Sequence, residues 1–492
     1  MNSALLSLRQ LSLVYRALPV LHELDWRIEP GQQWACIGPN GAGKTSLARV
    51  LSGQTSQYAG TCERGGTLQQ KGVAYVCFEQ ARALCERDKK LDDSEFRADA
   101  SDPGTRVQDF ILGKQPPHDA FLHWVERLRM GHILQRGLRY ISTGEMRKTL
   151  LLAAILSEPG LLILDSPLDG LDASAQAELA LVIDELLSSG LPLLLLCRSL
   201  ADIPVGITHL LVLNEGQILA SGPRQAVQAN AAVQQLMNPP LPPLGELPPV
   251  AERPYTLPSH GPLLALHNVA VRYGDTTVLE GLDWVFERHQ HCCIAGPNGC
   301  GKTTLLSLIT GDNHKAYGQD ITLFGLRRGS GESVWDIKQK YGLLDTQLQL
   351  NFKQRMGVLD VVISGFFDSL GLYDDYGDQQ RHRAEHWLRA LGMQNYVRER
   401  FDALSFGLQR MVLLARAMVK SPAILILDEP TLGLDSHHRA LMLRAIDHIA
   451  GDSDTRIIFV SHSAGDTPRC INQFLTFEPA GEGYRVRCDN RD

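Results

Sequence analysis

Short apolar runs that stop abruptly at glycine or aspartate give the chain its first readable elements. Trp34-Ala35-Cys36-Ile37 predicts a strand that runs into a glycine-rich loop at Gly38, and Leu47-Ala48-Arg49-Val50-Leu51 behind the loop suits a helix. Cys292-Cys293-Ile294-Ala295, the loop from Gly296 and Leu305-Leu306-Ser307-Leu308-Ile309 repeat that order. Leu161-Leu162-Ile163-Leu164 and Ile424-Leu425-Ile426-Leu427 predict buried strands, and each ends in an aspartate, Asp165 and Asp428. The most apolar stretches, near Leu150–Leu156 and Leu191–Cys197, fall far short of the ~20 residues that a spanning helix needs.

These elements recur at a nearly constant offset. GPNGAGKT begins at Gly38 and GPNGCGKT at Gly296, 296 − 38 = 258 residues apart, and Tyr15 and Tyr273 share that offset. The Ser-x-Gly segments at Ser142 and Ser405 and the aspartates Asp165 and Asp428 are both 263 apart (405 − 142; 428 − 165). Four features in one order at nearly one spacing mean a duplicated domain. The sequence places the copies at 1–225 and 263–492, with 226–262 as the connection. Within it, Asn238–Pro262 contains nine prolines, which predicts a stiff, extended linker. Cys85–Pro103 is charged and reads as a solvated surface insertion.

A chain of 492 residues exceeds one hydrophobic core, in keeping with two domains. Its net charge of −7 argues against a broad basic surface for nucleic acid. Ten cysteines without a CxxC pair are too sparse for a disulfide scaffold, and Cys36, Cys77, Cys292 and Cys293 read as small core residues of a reducing compartment. The first ten residues lack the basic, apolar and small-residue regions of a secretory signal. No direct membrane insertion is expected.

The strand–loop–helix setting is what a phosphate-binding loop requires, because its glycines turn backbone N–H groups onto phosphate oxygens at a helix N-terminus. Gly38, Pro39, Asn40, Gly41, Ala42, Gly43, Lys44, Thr45 and Ser46 form one candidate ATP site. Gly296, Pro297, Asn298, Gly299, Cys300, Gly301, Lys302, Thr303 and Thr304 form the other. Lys44 and Lys302 would reach the β- and γ-phosphates, and Thr45 and Thr303 would bind Mg²⁺. Asp165 and Asp428 would complete the metal shell at the ends of their strands.

Ile141-Ser142-Thr143-Gly144-Glu145 and Leu404-Ser405-Phe406-Gly407-Leu408, each followed by an arginine and then by one of the aspartate strands, resemble the signature of the ABC ATPase family. The resemblance covers nearly the whole chain outside the linker. It implies two P-loop NTPase domains in tandem, each with a RecA-like α/β core and a helical signature subdomain, paired head to tail within one chain. It also implies ATP contacts for Ser142, Gly144, Ser405 and Gly407, and an adenine-stacking role for Tyr15 and Tyr273. A buried core tyrosine is the alternative for those two positions. Gln80 and Gln347 are the candidates for the glutamine that senses Mg²⁺, although neither sits where the family pattern puts it.

The copies differ chemically. After Asp428 come Glu429, Gly433-Leu434-Asp435 and, 34 residues on, His462 at the end of Ile457–Ser461. Glu429, His462 and Lys302 look like a complete hydrolytic set, in which Glu429 would orient or deprotonate the attacking water and His462 would touch the γ-phosphate. In the first copy Ser166 follows Asp165 and Arg198 stands near the histidine position, while Asp169 and Asp172 are retained. Head-to-tail pairing would set Lys44, Thr45, Asp165, Ser166 and Arg198 against Leu404–Leu408, a holding site. Lys302, Thr303, Asp428, Glu429 and His462 would meet Ser142, Gly144 and Glu145, a hydrolysing site.

The tandem form, Phe78-Glu79-Gln80, Ser166 and Arg198 are similar to a bacterial family of two-domain ATP-binding proteins linked to molybdate transport. That similarity implies a cytoplasmic subunit, peripheral on the inner face of the inner membrane, that drives separate membrane-embedded permease subunits. Two alternatives stay open: a soluble ABC-F-like ATPase acting on ribosomes, and an ABC ATPase in DNA repair. The proline-rich linker and Ser166 depart from the first, and the second lacks its long coiled-coil or zinc-binding insertion.

Overall fold

The computed structural model describes residues 4–491 apart from 16–17, 78–83, 85–86, 88–103, 169–172, 238–239, 275, 346–347, 349–351, 353–355, 373–374, 462–466 and 481–482. The chain divides into two compact units, Met1–Pro239 and Pro240–Asp492.

In the first unit, β1 (Leu6–Tyr15), β2 (Leu18–Ile28) and β4 (Ala59–Arg64) form an antiparallel sheet in the order β2-β1-β4. A second sheet has the order β5-β6-β7-β3-β8-β9, built from β3 (Trp34–Ile37), β5 (Val73–Val76), β6 (Leu161–Asp165), β7 (Leu193–Leu196), β8 (His209–Asn214) and β9 (Gln217–Pro223). Its first five strands are parallel and β9 is an antiparallel edge. The unbroken apolar runs follow from burial on both faces. Cys36, Ile163 and Leu194 join the core beneath the antiparallel sheet, and Ala35, Ile37, Leu162 and Leu164 join the core on the helical side. The helices that matter here are α1 (Lys44–Leu51), α2 (Thr143–Leu156) and α3 (Ala173–Ser188). Residues 226–237, read as linker from the sequence, instead complete α4 (Arg224–Gln228) and form α5 (Ala231–Met237), and they bury Val227, Val233 and Met237 in the first unit's core.

The second unit repeats the plan. Its antiparallel sheet is β11-β10-β13-β14, from β10 (Leu264–Tyr273), β11 (Thr276–Phe286), β13 (Asp320–Leu323) and β14 (Leu326–Arg327). The other sheet is β15-β16-β17-β12-β18-β19, from β12 (Cys292–Ala295), β15 (Tyr341–Leu344), β16 (Ile424–Asp428), β17 (Arg456–Ser461), β18 (Gln473–Ala480) and β19 (Gly483–Asn490). Its helices include α6 (Lys302–Thr310), α7 (Val358–Ile363), α8 (Asp378–Ala390), α9 (Phe406–Met418) and α10 (Ser436–Asp452). Cys36, Cys77, Cys292 and Cys293 are buried, as small core residues should be. Among the described residues no helix is long and apolar enough to cross a membrane.

From Pro240 on, the described residues of the proline-rich segment form no helix or strand and lie against the rest of the second unit as a strap. Leu241, Leu244 and Leu247 pack on the helical core, and Tyr255 and Leu257 pack on the core under the antiparallel sheet. Gly245 is held on two sides: its N–H donates to Ala390 O of α8 (2.9 Å), and its carbonyl meets His448 Nε2 of α10 (2.8 Å). Arg253 makes two 2.7 Å bonds to the Asp454 carboxylate and donates to Ser421 O (2.8 Å).

His291 ties β12 to its neighbours. Its Nδ1 accepts from Ile457 N (3.2 Å), and its carbonyl accepts from Asn472 N and Gln473 N. Burial, then the nearby Arg456 guanidinium, lowers its pKa from 6.5 to about 4. A buried neutral imidazole resists a proton that the unfolded chain takes up readily. Its contribution is therefore intact above pH 6.5 and lost as pH falls toward 4. The denaturant midpoint of the second unit is expected to drop across that window, and His291→Gln to flatten the drop. Equal slopes in the two proteins would refute this role.

Candidate functional site

Each glycine-rich loop sits where its parallel sheet reverses strand order, between β3 and β8 on one side and β7 on the other in the first unit. Gly38, Gly41 and Gly43 have φ of 153°, 84° and 100°. A Cβ on Gly38 would lie 2.1 Å from Leu213 O, and one on Gly43 would lie 2.7 Å from Leu21 Cδ2, so the loop has room only for glycine there. Ala42 N donates to Pro39 O (3.2 Å), which closes the turn carrying Asn40. Gly43 then caps α1, and Ser46 lies in the first turn of that helix. The second unit matches: Gly299 and Gly301 have φ of 79° and 110°, and Gly301 caps α6, which begins Lys302-Thr303-Thr304. A Cβ on Gly296 would meet Phe477 Cβ at 2.7 Å. Pro297 is partly buried, and Asn298 and Gly299 form the exposed crest of the loop over buried Cys300, whose thiol burial pushes above its ordinary pKa.

The buried lysines fold back into their loops. Lys44 Nζ donates to Gly38 O (2.5 Å) and Pro39 O (2.9 Å), and Lys302 Nζ to Gly296 O and Pro297 O (both 2.8 Å). An ammonium group at a glycine cradle that opens a helix presents donors and positive charge, which fits a polyphosphate. Thr45 Oγ1 donates to Asp165 Oδ2 (2.8 Å), so the hydroxyl and carboxylate expected to serve Mg²⁺ are adjacent.

Tyr15 and Tyr273 are 62% and 45% exposed, which removes the core-tyrosine alternative. Both end the outgoing strand of a hairpin whose returning strand covers the loop: Val20 and Leu21 meet Gly43, and Val278 and Leu279 meet Gly301.

The residues after the strand aspartates share one backbone geometry. Ser166 and Glu429 have φ of 49° and 52°, a left-handed conformation uncommon outside glycine. Ser166 N donates to Leu196 O (3.0 Å) and Glu429 N to Val460 O (3.1 Å). The first unit thus keeps the backbone turn and carries serine on it in place of glutamate.

Ser142 and Ser405 cap α2 and α9, by accepting from Glu145 N (3.3 Å) and Leu408 N (3.4 Å). Gly144 stands in the first turn of α2. Glu145 returns a 2.7 Å bond from Ser142 N and meets His132 Nε2 at 3.2 Å. Burial alone would raise its carboxyl, but the Ser142 bonds and His132 hold it below the usual range. Gly407 is pressed by His438, since a Cβ there would lie 2.3 Å from its ring; His438 Nδ1 in turn meets Asp435 Oδ1 at 2.9 Å. Gln80, Gln347, His462, Asp169 and Asp172 lie outside the described residues.

The structure also adds residues that the sequence reading missed. Tyr75 OH donates to Asp165 Oδ2 (2.9 Å). In the second unit the charges of Asp345, Glu429 and Asp428 act on the fully buried Arg410. Burial pushes that guanidinium down to about 10 against their opposing pull. Ladder register gives the correspondence: Val76 pairs with Leu164 and Leu344 with Leu427, so Cys77 occupies the position of Asp345. At these positions the first unit has Cys77, Asp165 and Ser166, while the second has Asp345, Asp428 and Glu429.

The ABC transporter family model matches residues 21–169 and again 279–432. The ABC transporter ATP-binding protein ModF of Escherichia coli is 37% identical over 462 residues, 93% of this chain and 94% of that protein. An uncharacterised ABC transporter ATP-binding protein of Bacillus subtilis, YlmA, is 31% identical over 203 residues, 41% of this chain and 76% of that protein. Among solved structures, the archaeal ribosome recycling factor aABCE1, in complex with the ribosomal stalk protein aP1, superposes with a TM-score of 0.59 at 18% identity. That match covers 98% of this chain and 89% of that chain, and at such identity it speaks to the fold alone. Duplicated loops, strand aspartates and signature helices, matched twice by one family model, make the chain a member of the ABC transporter ATP-binding family, whose domains bind and hydrolyse ATP.

Proposed function

We propose that the chain is the ATP-hydrolysing subunit of a molybdate-related ABC transporter, working on membrane-embedded permease subunits at the inner face of the inner membrane. The observation that carries the division of labour is the shared left-handed turn bearing Ser166 in one unit and Glu429 in the other. In the second unit, Lys302 would leave its loop carbonyls for phosphate oxygens, Thr303 and Asp428 would hold Mg²⁺, and Glu429 takes the proton of the water that attacks the γ-phosphorus. The bond from that phosphorus to the bridging oxygen breaks as the new one forms, leaving ADP and phosphate. Mg²⁺ supplies charge neutralisation across the phosphates when bound. In the first unit, Lys44, Thr45 and Asp165 offer the same binding groups, but Ser166 has no carboxylate to receive that proton. Support for the transport role is the full-length similarity to ModF and the family match.

Crosslinking followed by affinity purification from native membranes tests the partner. Recovery of a polytopic permease is expected, and molybdate uptake should fall when Lys302 is replaced by alanine. Recovery of ribosomes or of DNA-repair proteins in its place overturns the transport reading.

A further inference from the structure

The Asp165 carboxylate is loaded unevenly. Its Oδ2 accepts from both Thr45 Oγ1 (2.8 Å) and Tyr75 OH (2.9 Å), while among the described residues Oδ1 has only the long Ser166 Oγ contact of 3.4 Å. Two donors fill the two lone pairs of Oδ2 and leave Oδ1 as the face with acceptor capacity to spare. Tyr75 reaches this point from β5, where it pairs with Ile163 and is 8% exposed. The matching position in the second unit pairs with Ile426 and is Leu343, 38% exposed, which carries no donor. The two copies therefore differ in how the strand aspartate is held as well as in the residue after it.

We propose that Tyr75 is a positioning residue of the first unit's nucleotide site, whose hydroxyl clamps Asp165 toward Thr45 and so slows release of metal-bound nucleotide. The inference rests on the reading that Lys44 and Thr45 bind Mg-nucleotide. A hydrogen bond to an ionised acceptor in a partly buried setting resists reorientation of the carboxylate. Any loss of metal that turns Asp165 must break that bond, whereas the Leu343 position imposes no such cost.

The test uses the full chain with Glu429→Gln, so that bound ATP is not consumed, and follows release of radiolabelled ATP in Mg²⁺ and in EDTA. Two release phases are expected, and Lys44→Ala should remove the slower one. Adding Tyr75→Phe should speed that slower phase about tenfold in Mg²⁺, the scale of one charge-assisted hydrogen bond, and raise the Mg²⁺ needed for half-maximal retention. In EDTA the Tyr75→Phe difference should vanish. Leu343→Tyr, at a partly exposed position, should slow the faster phase and provides an arm independent of the first unit's packing. Unchanged release in Tyr75→Phe at an unchanged melting temperature overturns the clamp, as does an acceleration equal in Mg²⁺ and EDTA. If Lys44→Ala leaves both phases intact, the nucleotide reading of the first unit fails, and the clamp falls with it.

Discussion

Replacing Glu429 with glutamine is expected to lower ATP turnover by about 10²–10⁴-fold, the usual worth of a positioned general base, while nucleotide binding persists. Glutamine keeps the size and hydrogen-bonding reach of the side chain but cannot accept the proton. The backbone turn that aims it, at φ of 52° with a bond from its N–H to Val460 O, is unaffected by the swap. Phosphate release and ATP retention measured on one preparation separate chemistry from binding. Substantial hydrolysis in this variant would move the catalytic base to another residue and end the assignment of the second unit as the hydrolysing one.

Removing Arg410 should destabilise the second unit. The guanidinium is fully buried, donates to Glu429 O at 3.3 Å and feels the charges of Asp345, Glu429 and Asp428. Arg410→Ala leaves a cavity and removes the positive charge that acts on Asp345, Glu429 and Asp428. A loss of about 1–3 kcal/mol follows, because the carboxylates left behind are only partly buried and water screens them. The counterpart Arg147 is partly buried, donates to Pro167 O at 3.0 Å and stands where the first unit has Cys77 and Ser166 in place of two acids. Arg147→Ala should therefore cost visibly less. Denaturant unfolding followed in both variants checks the contrast, and an equal loss in Arg147→Ala would overturn it.

Much of the site was legible because it is local in sequence. A strand, a glycine loop and a helix are contiguous, so Lys44 and Lys302 could be assigned from pattern alone, and the structure places both inside their loops. The strand aspartates were equally readable, since an apolar run ending in one carboxylate marks the sheet edge that faces the loop. Tyr75 and Asp345 were not readable. Their partners are 90 residues away for Tyr75–Asp165 and 65 (410 − 345) for Asp345 and Arg410. Neither repeat offset used for the motifs aligns β5 with β15, because Val73 and Tyr341 are 341 − 73 = 268 apart. Only the pairing of edge strand to central strand reveals which residues correspond. The strap failed to show for a different reason: an extended proline-rich segment has no helical or strand period from which a buried face can be read.

The strap makes the unit of duplication differ from the unit of folding. Counting motifs puts the start of the second copy at 263, yet Leu241, Leu244, Leu247, Tyr255 and Leu257 fill that unit's surface, and Arg253 and Gly245 tie across it. A fragment begun at the repeat boundary would leave these leucine and tyrosine seats open to water and to other chains. During synthesis, the stretch that emerges just after the first unit must wait for Asp454, two hundred residues downstream (454 − 253 = 201), before its arginine is satisfied. Dissection of the protein into halves, or grafting of its second half onto another ATPase, should therefore cut at Pro239 and carry the prolines along.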